Sequence, residues 1–316
     1  MLSETNIIEL FKAKTPLKDV QVDIGDDAAL INLKNNALIA CKDLMVLGTH
    51  FPEELSAYDI GRRSVLVNLS DVAAMGATPK YLLMGLTLPQ ELNNKFWMKD
   101  FARGVHQICK AYKCRLVGGD VCRGPLSVSV TLLGDPEGRN IITRDGARED
   151  HDLYVTGNIG DARAGLENIL ESKRVDLRNQ CTRSFVSPIA RVELAKRLTK
   201  HATSMIDISD GLYNEIKILA DCSSKGFIID SNKIPISTAL KKKYKHRSVE
   251  IAFTGGEDYE LLFTLPKGLD SWITKLSKKF SVKISKIGYC TSSKSIKLLN
   301  YQGEKLEQKT YDHFRK

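Results

Sequence analysis

The stretch SAYDIGRRSVLVNLSDVAAMGATP, residues 56–79, decides how the first half of the chain is read. Ser56 followed three residues later by Asp59 is a capping-box pattern, so a helix opens there; it ends near Gly76, and Thr78-Pro79 stops it. Working outward, residues 36–46 before it form an apolar, strand-like run. Residues 81–88 after it read as a strand, 95–112 as a helix, 115–117 as a short strand into Gly118-Gly119, and 126–133 as another strand. Strands alternating with helices predict an α/β (α+β) domain. Gly134, Pro136, Gly138 and the polar residues through Asp152 read as a crossover, which places a boundary near residue 138 and gives domains 1–138 and 139–316. In the second half, residues 153–156 begin a new series of strand, turn and helix. Ser187-Pro188 is read as a helix start, with Ile189, Val192, Ala195 and Leu198 spaced to bury one face, and residues 205–209 as a strand leading into Gly211.

The chain has 316 residues, 42% of them hydrophobic and 27% charged, an ordinary balance for a folded protein with more than one core. Glu4, Glu9 and Lys12 interrupt the apolar residues at the start, unlike the core of a signal peptide, and no later apolar run approaches membrane-spanning length. The expectation is therefore a cytoplasmic protein without membrane partners. Seven cysteines (41, 109, 114, 122, 181, 222, 290), odd in number and without a CxxC pair, read as reduced thiols. The formal net charge of +9 can advertise an anionic partner. Much of the excess lies in Lys241, Lys242, Lys243, Lys245 and Arg247 and in Lys275, Lys278, Lys279, Lys283 and Lys286, without regularly interleaved aromatics. That pattern favours a solvated lysine-rich face over a nucleic-acid platform.

The chemistry lies in the aspartates: Gly25-Asp26-Asp27, Asp43 in an apolar strand, Asp71 in Leu69-Ser70-Asp71-Val72, and Gly118-Gly119-Asp120. Each sits among apolar or glycine neighbours. A lone buried charge costs several kcal/mol, so such a carboxylate either faces solvent or is compensated by a cation. Each aspartate alone is equally compatible with a turn or a solvated position. Four in one domain suggest a shared cation, and Ile206-Asp207-Ile208-Ser209-Asp210-Gly211 repeats the design of strand and acidic turn in the second half. Oxygen ligands without a matching His/Cys cluster favour Mg2+, which uses a few carboxylates together with substrate phosphates. There is no GxxxxGK[ST] segment and no kinase-type HRD with DFG, so any nucleotide site is of another kind. Gly157-Asn158-Ile159-Gly160 is read as a structural turn, although its N–H groups have the makings of a phosphate cradle.

Several ordered blocks resemble the thiamine-monophosphate kinase family. They are Gly25-Asp26-Asp27-Ala28-Ala29, the run from Asn68-Leu69-Ser70-Asp71 through Gly76-Ala77, Gly118-Gly119-Asp120 with Arg123-Gly124, Ile206-Asp207-Ile208-Ser209-Asp210-Gly211, Gly255-Gly256-Glu257-Asp258-Tyr259-Glu260-Leu261, and Tyr311-Asp312-His313-Phe314. The likeness runs from about residue 20 to the C-terminus, and the wider superfamily includes aminoimidazole ribonucleotide synthetase. The resemblance implies a two-domain aminoimidazole ribonucleotide synthetase-like fold. The N-terminal domain would share a β-barrel with a second subunit in a homodimer, and ATP would lie at the domain junction. It implies that Asp27, Asp43, Asp71 and Asp120 hold several Mg2+ ions, with Asp207 and Asp210 adding ligands. Gly119, Asp120, Arg144 and Ser209 would contact ATP, and His50, Glu257 and Tyr311 would contact thiamine monophosphate. The implied reaction is direct, in-line transfer of the ATP γ-phosphate, giving thiamine diphosphate. No residue is assigned as nucleophile or base, because a phosphate monoester with a second pKa near 6 is already mostly dianionic at neutral pH.

The chain departs from the resemblance at Cys41-Lys42-Asp43, where hydroxyl residues usually precede the aspartate, and at Val121-Cys122. The Lys42 ammonium either replaces one bound cation or points to solvent. Three other readings compete. One is a different enzyme of the superfamily; selenophosphate synthetase is disfavoured because the first cysteine is Cys41, inside a strand-like run. The second is a nucleic-acid-binding module with steep salt dependence, and the third an ATP-binding regulator without turnover.

Overall fold

The computed structural model describes residues 38–138 and 140–302, and the backbone of 20–22 and 30–31. Asp27 and Tyr311 therefore lie outside the described side chains. The chain divides into two units, residues 1–72 with 77–139, and residues 73–76 with 140–316.

In the first unit, β1 (Val20–Val22) pairs with β2 (Leu30–Ile31). A separate four-stranded sheet follows, built from β3 (Ile39–Val46), β4 (Thr78–Leu88), β5 (Arg115–Arg123) and β6 (Ser127–Asp135) in the order β3-β6-β4-β5. β6 is antiparallel to both of its neighbours, and β4 is parallel to β5. The helix expected from residue 56 is α1 (Ala57–Ala74). Ser56 Oγ donates to Asp59 Oδ2 at 2.6 Å and accepts the Asp59 N–H at 3.1 Å, so the N-terminal cap forms as the sequence spacing predicts. Val65, Leu66, Val67, Leu69, Val72 and Ala73 are all at most 2% exposed, and α1 is buried on nearly every side. The second helix, α2 (Lys95–Tyr112), is amphipathic and buries Met98, Phe101, Ala102, Val105, Ile108 and Cys109. The two helices meet where they have no side chains: a Cβ on Gly104 would stand 2.1 Å from the Tyr58 carbonyl oxygen, and one on Gly61 2.4 Å from that of Phe101.

The sheet buries the side chains of one face, including Leu82, Met84, Leu86 and Leu88 of β4 and Val128, Val130 and Leu132 of β6. Leu44 and Leu83 remain 51% and 39% exposed. β5 corrects the sequence reading. Gly118-Gly119-Asp120 does not end a short strand; the strand continues to Arg123, in parallel register with β4, after a shift beside Leu82 and Leu83. Gly119 is required there by close approach, since a Cβ would lie 2.0 Å from the Met84 carbonyl oxygen.

The second unit is a six-stranded sheet in the order β12-β9-β11-β7-β10-β8. Its strands are β7 (Asp152–Thr156), β8 (Ser204–Asp207), β9 (Gly226–Asp230), β10 (Leu261–Leu265), β11 (Ile284–Thr291) and β12 (Ile296–Leu299). The helices are α3 (Asp161–Ser172), α4 (Gln180–Val186), α5 (Val192–Leu198), α6 (Leu212–Ser223), α7 (Thr238–Tyr244), α8 (Ser248–Thr254) and α9 (Asp270–Phe280). β7, β8 and β10 are buried along their whole length, so polar residues such as Asp152, Thr156, Ser204 and Asp207 are buried at strand ends beside the apolar ones. The helix expected to start at Ser187-Pro188 forms as α5 but begins later, at Val192, after α4 has ended at Val186. A proline pushes the preceding residue out of helical geometry, and Ser187 has φ −140° and ψ 69°. Ile189 is accordingly 57% exposed, while Val192, Ala195 and Leu198 are buried.

Candidate active site

In the first unit, one buried amide organises two of the candidate aspartates. Asn68, 1% exposed in α1, donates from Nδ2 to the Ser64 carbonyl at 3.0 Å and accepts the Asp43 N–H on Oδ1 at 3.1 Å. Cys41 Sγ donates to the Asn68 carbonyl at 3.5 Å. Burial, reinforced by the nearby Asp71 and Asp43 carboxylates, pushes the Cys41 thiol far above its usual pKa. Cys41, Asp43 and Asp71 are thus neighbours, and Asp71 sits about one helical turn beyond the amide that holds β3. Lys42, the next residue on the strand after Cys41, points by strand alternation to the opposite face and is exposed. Asp120 is exposed on β5. Just beyond β3, His50 Nδ1 accepts the Val46 N–H at 3.1 Å, within the turn that carries Gly48.

In the second unit, the two motif blocks lie side by side. The Ile208 N–H donates to the Glu260 carbonyl at 2.8 Å, the Tyr259 N–H to the Ile208 carbonyl at 2.8 Å, and the Glu257 N–H to the Ser209 carbonyl at 2.7 Å. Gly256 permits this approach, since a Cβ there would stand 2.3 Å from the Ser209 carbonyl oxygen. Glu257 and Tyr259 both take positive φ, 75° and 51°. Beneath the Ser209-Asp210 turn lies Glu215 of α6, 2% exposed, whose Oε1 accepts the Asp210 N–H at 3.1 Å and lies 3.5 Å from Ser209 Oγ. Burial, together with the charges of Asp207 and Asp210, pushes its pKa up to about 8, although the Asp210 N–H and the Arg144 guanidinium oppose the shift.

The glycine turn at 157–160 is filled from within the protein. Asp258, 7% exposed, accepts the Gly160 N–H on one oxygen at 2.7 Å and the Ala162 N–H on the other at 3.1 Å, so a carboxylate occupies the N-terminal end of α3 where a phosphate would dock. Burial raises the pKa of Asp258, and those two N–H donors oppose the rise. The Gly157 and Ile159 N–H groups donate to the carbonyls of Lys283 and Pro235. Glu260 anchors the same loop: Arg191 reaches its two oxygens at 2.8 and 2.5 Å, and Thr156 Oγ1 donates to it at 2.5 Å.

Two family models cover most of the chain, the N-terminal domain of AIR synthase related proteins over residues 25–135 and the C-terminal domain over residues 148–299. The thiamine-monophosphate kinase of Buchnera aphidicola (Acyrthosiphon pisum symbiont) is 36% identical over 99% of both chains. The chain belongs to the thiamine-monophosphate kinase family. The crystal structure of the thiamine-monophosphate kinase of Stenotrophomonas maltophilia matches with a TM-score of 0.83 and 32% identity, covering 89% of this chain and 91% of that one. AaThiL complexed with AMPPCP and TMP matches at 0.78 and 34%, covering 88% and 87%. The chain therefore has the two-domain fold expected from the resemblance and is an enzyme of this kinase family.

For a thiamine-monophosphate kinase, the described residues bring together Asp43 with Asp71, and Arg144, Asp207, Ser209 and Asp210 around Glu215, with Glu257 bonded to Ser209. Among the described residues, no three His, Cys, Asp or Glu side chains gather closely enough to hold a metal ion. No helix among them is long and apolar enough to cross a membrane. Asn68, Glu215, Asp258 and Glu260 were missed as individual contributors by the sequence reading. Asn68, Asp258 and Glu260 lie inside the motif blocks, and Glu215 follows Asp210 by five residues, early in the helix that the acidic turn opens.

Proposed function

We propose that the chain transfers the γ-phosphoryl group of ATP directly to thiamine monophosphate, giving thiamine diphosphate, and that several Mg2+ ions assist. The observation that carries this reading is the likeness over most of the chain to a relative complexed with AMPPCP and TMP. The acceptor is a phosphate already mostly dianionic at pH 7, so the chain needs no general base. The obstacle is repulsion between two anions, roughly 1 kcal/mol per unit-charge pair at 4 Å in water and about 4 in a partly dry site. Asp27, Asp43, Asp71, Asp120, Asp207 and Asp210 would hold the Mg2+, which would neutralise both phosphate groups and the departing ADP. The donor chemistry fits. The candidate ligands are all carboxylates, which favours a hard cation over zinc.

The chain's own contribution is to fix these groups beforehand. Asn68 sets Asp43 against the helix that carries Asp71. The paired loops set Ser209, with Arg144, for ATP and Glu257 for the vitamin, to which His50 and Tyr311 also contribute. A homodimer completes the reading: Leu44 and Leu83, exposed on the sheet of the first unit, suit a barrel shared between two subunits. Incubation with ATP labelled on the γ-phosphate tests direct transfer. Label is expected in thiamine diphosphate and none on the protein, and the labelled product is expected to be lost when EDTA removes Mg2+. A labelled protein competent to pass its phosphate on would contradict direct transfer.

A further inference from the structure

Glu215 lies against the Ser209-Asp210 turn, within hydrogen-bond distance of Ser209 Oγ and the Asp210 N–H, and within electrostatic reach of Arg144 and Asp207. It is 2% exposed, and its own N–H donates to the Gly211 carbonyl at 3.2 Å, which sets it in the opening turn of α6. The Ser209-Asp210 turn is held on one side by backbone bonds, through Ile208 to Glu260 and through Ser209 to Glu257. On its other side the Asp210 N–H rests on Glu215 Oε1. The turn bends at Gly211, φ 111°, which stands at the N-cap of α6 and has no side chain with which to cap it.

We propose that Glu215 is a positioning residue for nucleotide binding, its buried Oε1 acting as the acceptor that fixes the Ser209-Asp210 turn so that Ser209 and Asp210 meet ATP and its metal in one geometry. This rests on the assignment of Arg144 and Ser209 to ATP made above. What matters is the acceptor oxygen, because without it the Asp210 N–H loses its buried partner and the turn is held on one side only.

Isothermal titration of the full-length protein with ATP and Mg2+, without acceptor, reads the proposal, with steady-state KM values for ATP and thiamine monophosphate alongside. Glu215→Gln keeps the acceptor and is expected to bind ATP within about twofold of wild type. Glu215→Ala removes it and is expected to weaken ATP binding about tenfold or more, with the KM for thiamine monophosphate within about twofold. Wild-type ATP affinity in Glu215→Ala overturns the proposal, and so does Glu215→Gln binding as weakly as Glu215→Ala, since charge and not the acceptor would then be the cause. If Glu215→Ala fails to fold by circular dichroism, Glu215→Asp replaces it. That variant keeps a carboxyl group but withdraws its oxygen by one methylene, so weakened binding is expected and wild-type binding overturns the proposal. A wild-type chain that binds ATP but phosphorylates no thiamine monophosphate refutes the function proposed above and leaves this inference standing; one that binds no ATP refutes both.

Discussion

Asn68 spends its amide in two directions, and each bond is at a buried site. Asn68→Leu keeps the volume but removes the side-chain acceptor of the Asp43 N–H, and the expected loss of stability is about 1–3 kcal/mol, read from a urea midpoint. Turnover should fall with it, since Asp43 loses its register against α1. An unchanged midpoint would show that water replaces the amide without cost. Arg191 is a stricter case. It is the guanidinium that meets both oxygens of the nearly buried Glu260, and Arg191→Ala is expected to cost about 2–4 kcal/mol because it leaves that carboxylate without its charged partner, with Thr156 Oγ1 still donating to it. Glu260 carries the loop on which Glu257 sits, so substrate affinity should fall as well; a variant with the wild-type midpoint contradicts the anchor. Cysteine reactivity follows exposure. Cys222 is exposed, whereas Cys181 is buried with a pKa raised to about 12 by burial and by Asp161. Limited alkylation followed by mass spectrometry should therefore label Cys222 well before Cys181.

At the scale of elements, α1 and α2 approach backbone to backbone at Gly61 and Gly104. Gly104→Ala places a methyl against the Tyr58 carbonyl and is expected to destabilise by about 1–3 kcal/mol by overpacking, despite the better helix propensity of alanine. A more stable Gly104→Ala protein would mean that the helices separate freely. The capped helix from residue 56 and its neighbouring strands were legible in sequence because cap, periodicity and breaker all agree there. Two other places were not. Gly118-Gly119 reads as a strand end because glycine marks both a turn and a close approach, and only the register against β4 separates them. Pro188 reads as a helix start because proline both opens and ends helices, and here α4 ends before it. Asp258 escaped notice for a third reason: the N–H groups it caps lie almost a hundred residues earlier, 98 for Gly160, and no local pattern announces such a pairing.

At the scale of the whole molecule, the candidate aspartates were legible as residue types in apolar or glycine settings, and as a family signature. Their grouping was not, because it depends on buried partners such as Asn68 and Glu215 that supply the geometry. The basic excess also looks different once folded: Lys243 meets Glu167 and Glu171, Arg247 meets Glu250, and Lys286 meets Asp152, so part of the lysine-rich second half is paired with its own acidic residues. For the proposed dimer, light scattering should give twice the chain mass, and Leu44→Lys should shift it toward the monomer; a wild-type monomer contradicts the shared barrel. The central claim is the reaction. The most direct test is ADP production from ATP and Mg2+ with thiamine monophosphate, free thiamine or aminoimidazole-pathway intermediates offered in turn, and with Asp71→Asn as control. Turnover with the monophosphate alone, abolished in Asp71→Asn, is the predicted result; turnover with another acceptor, or none with the monophosphate despite bound ATP, would contradict it.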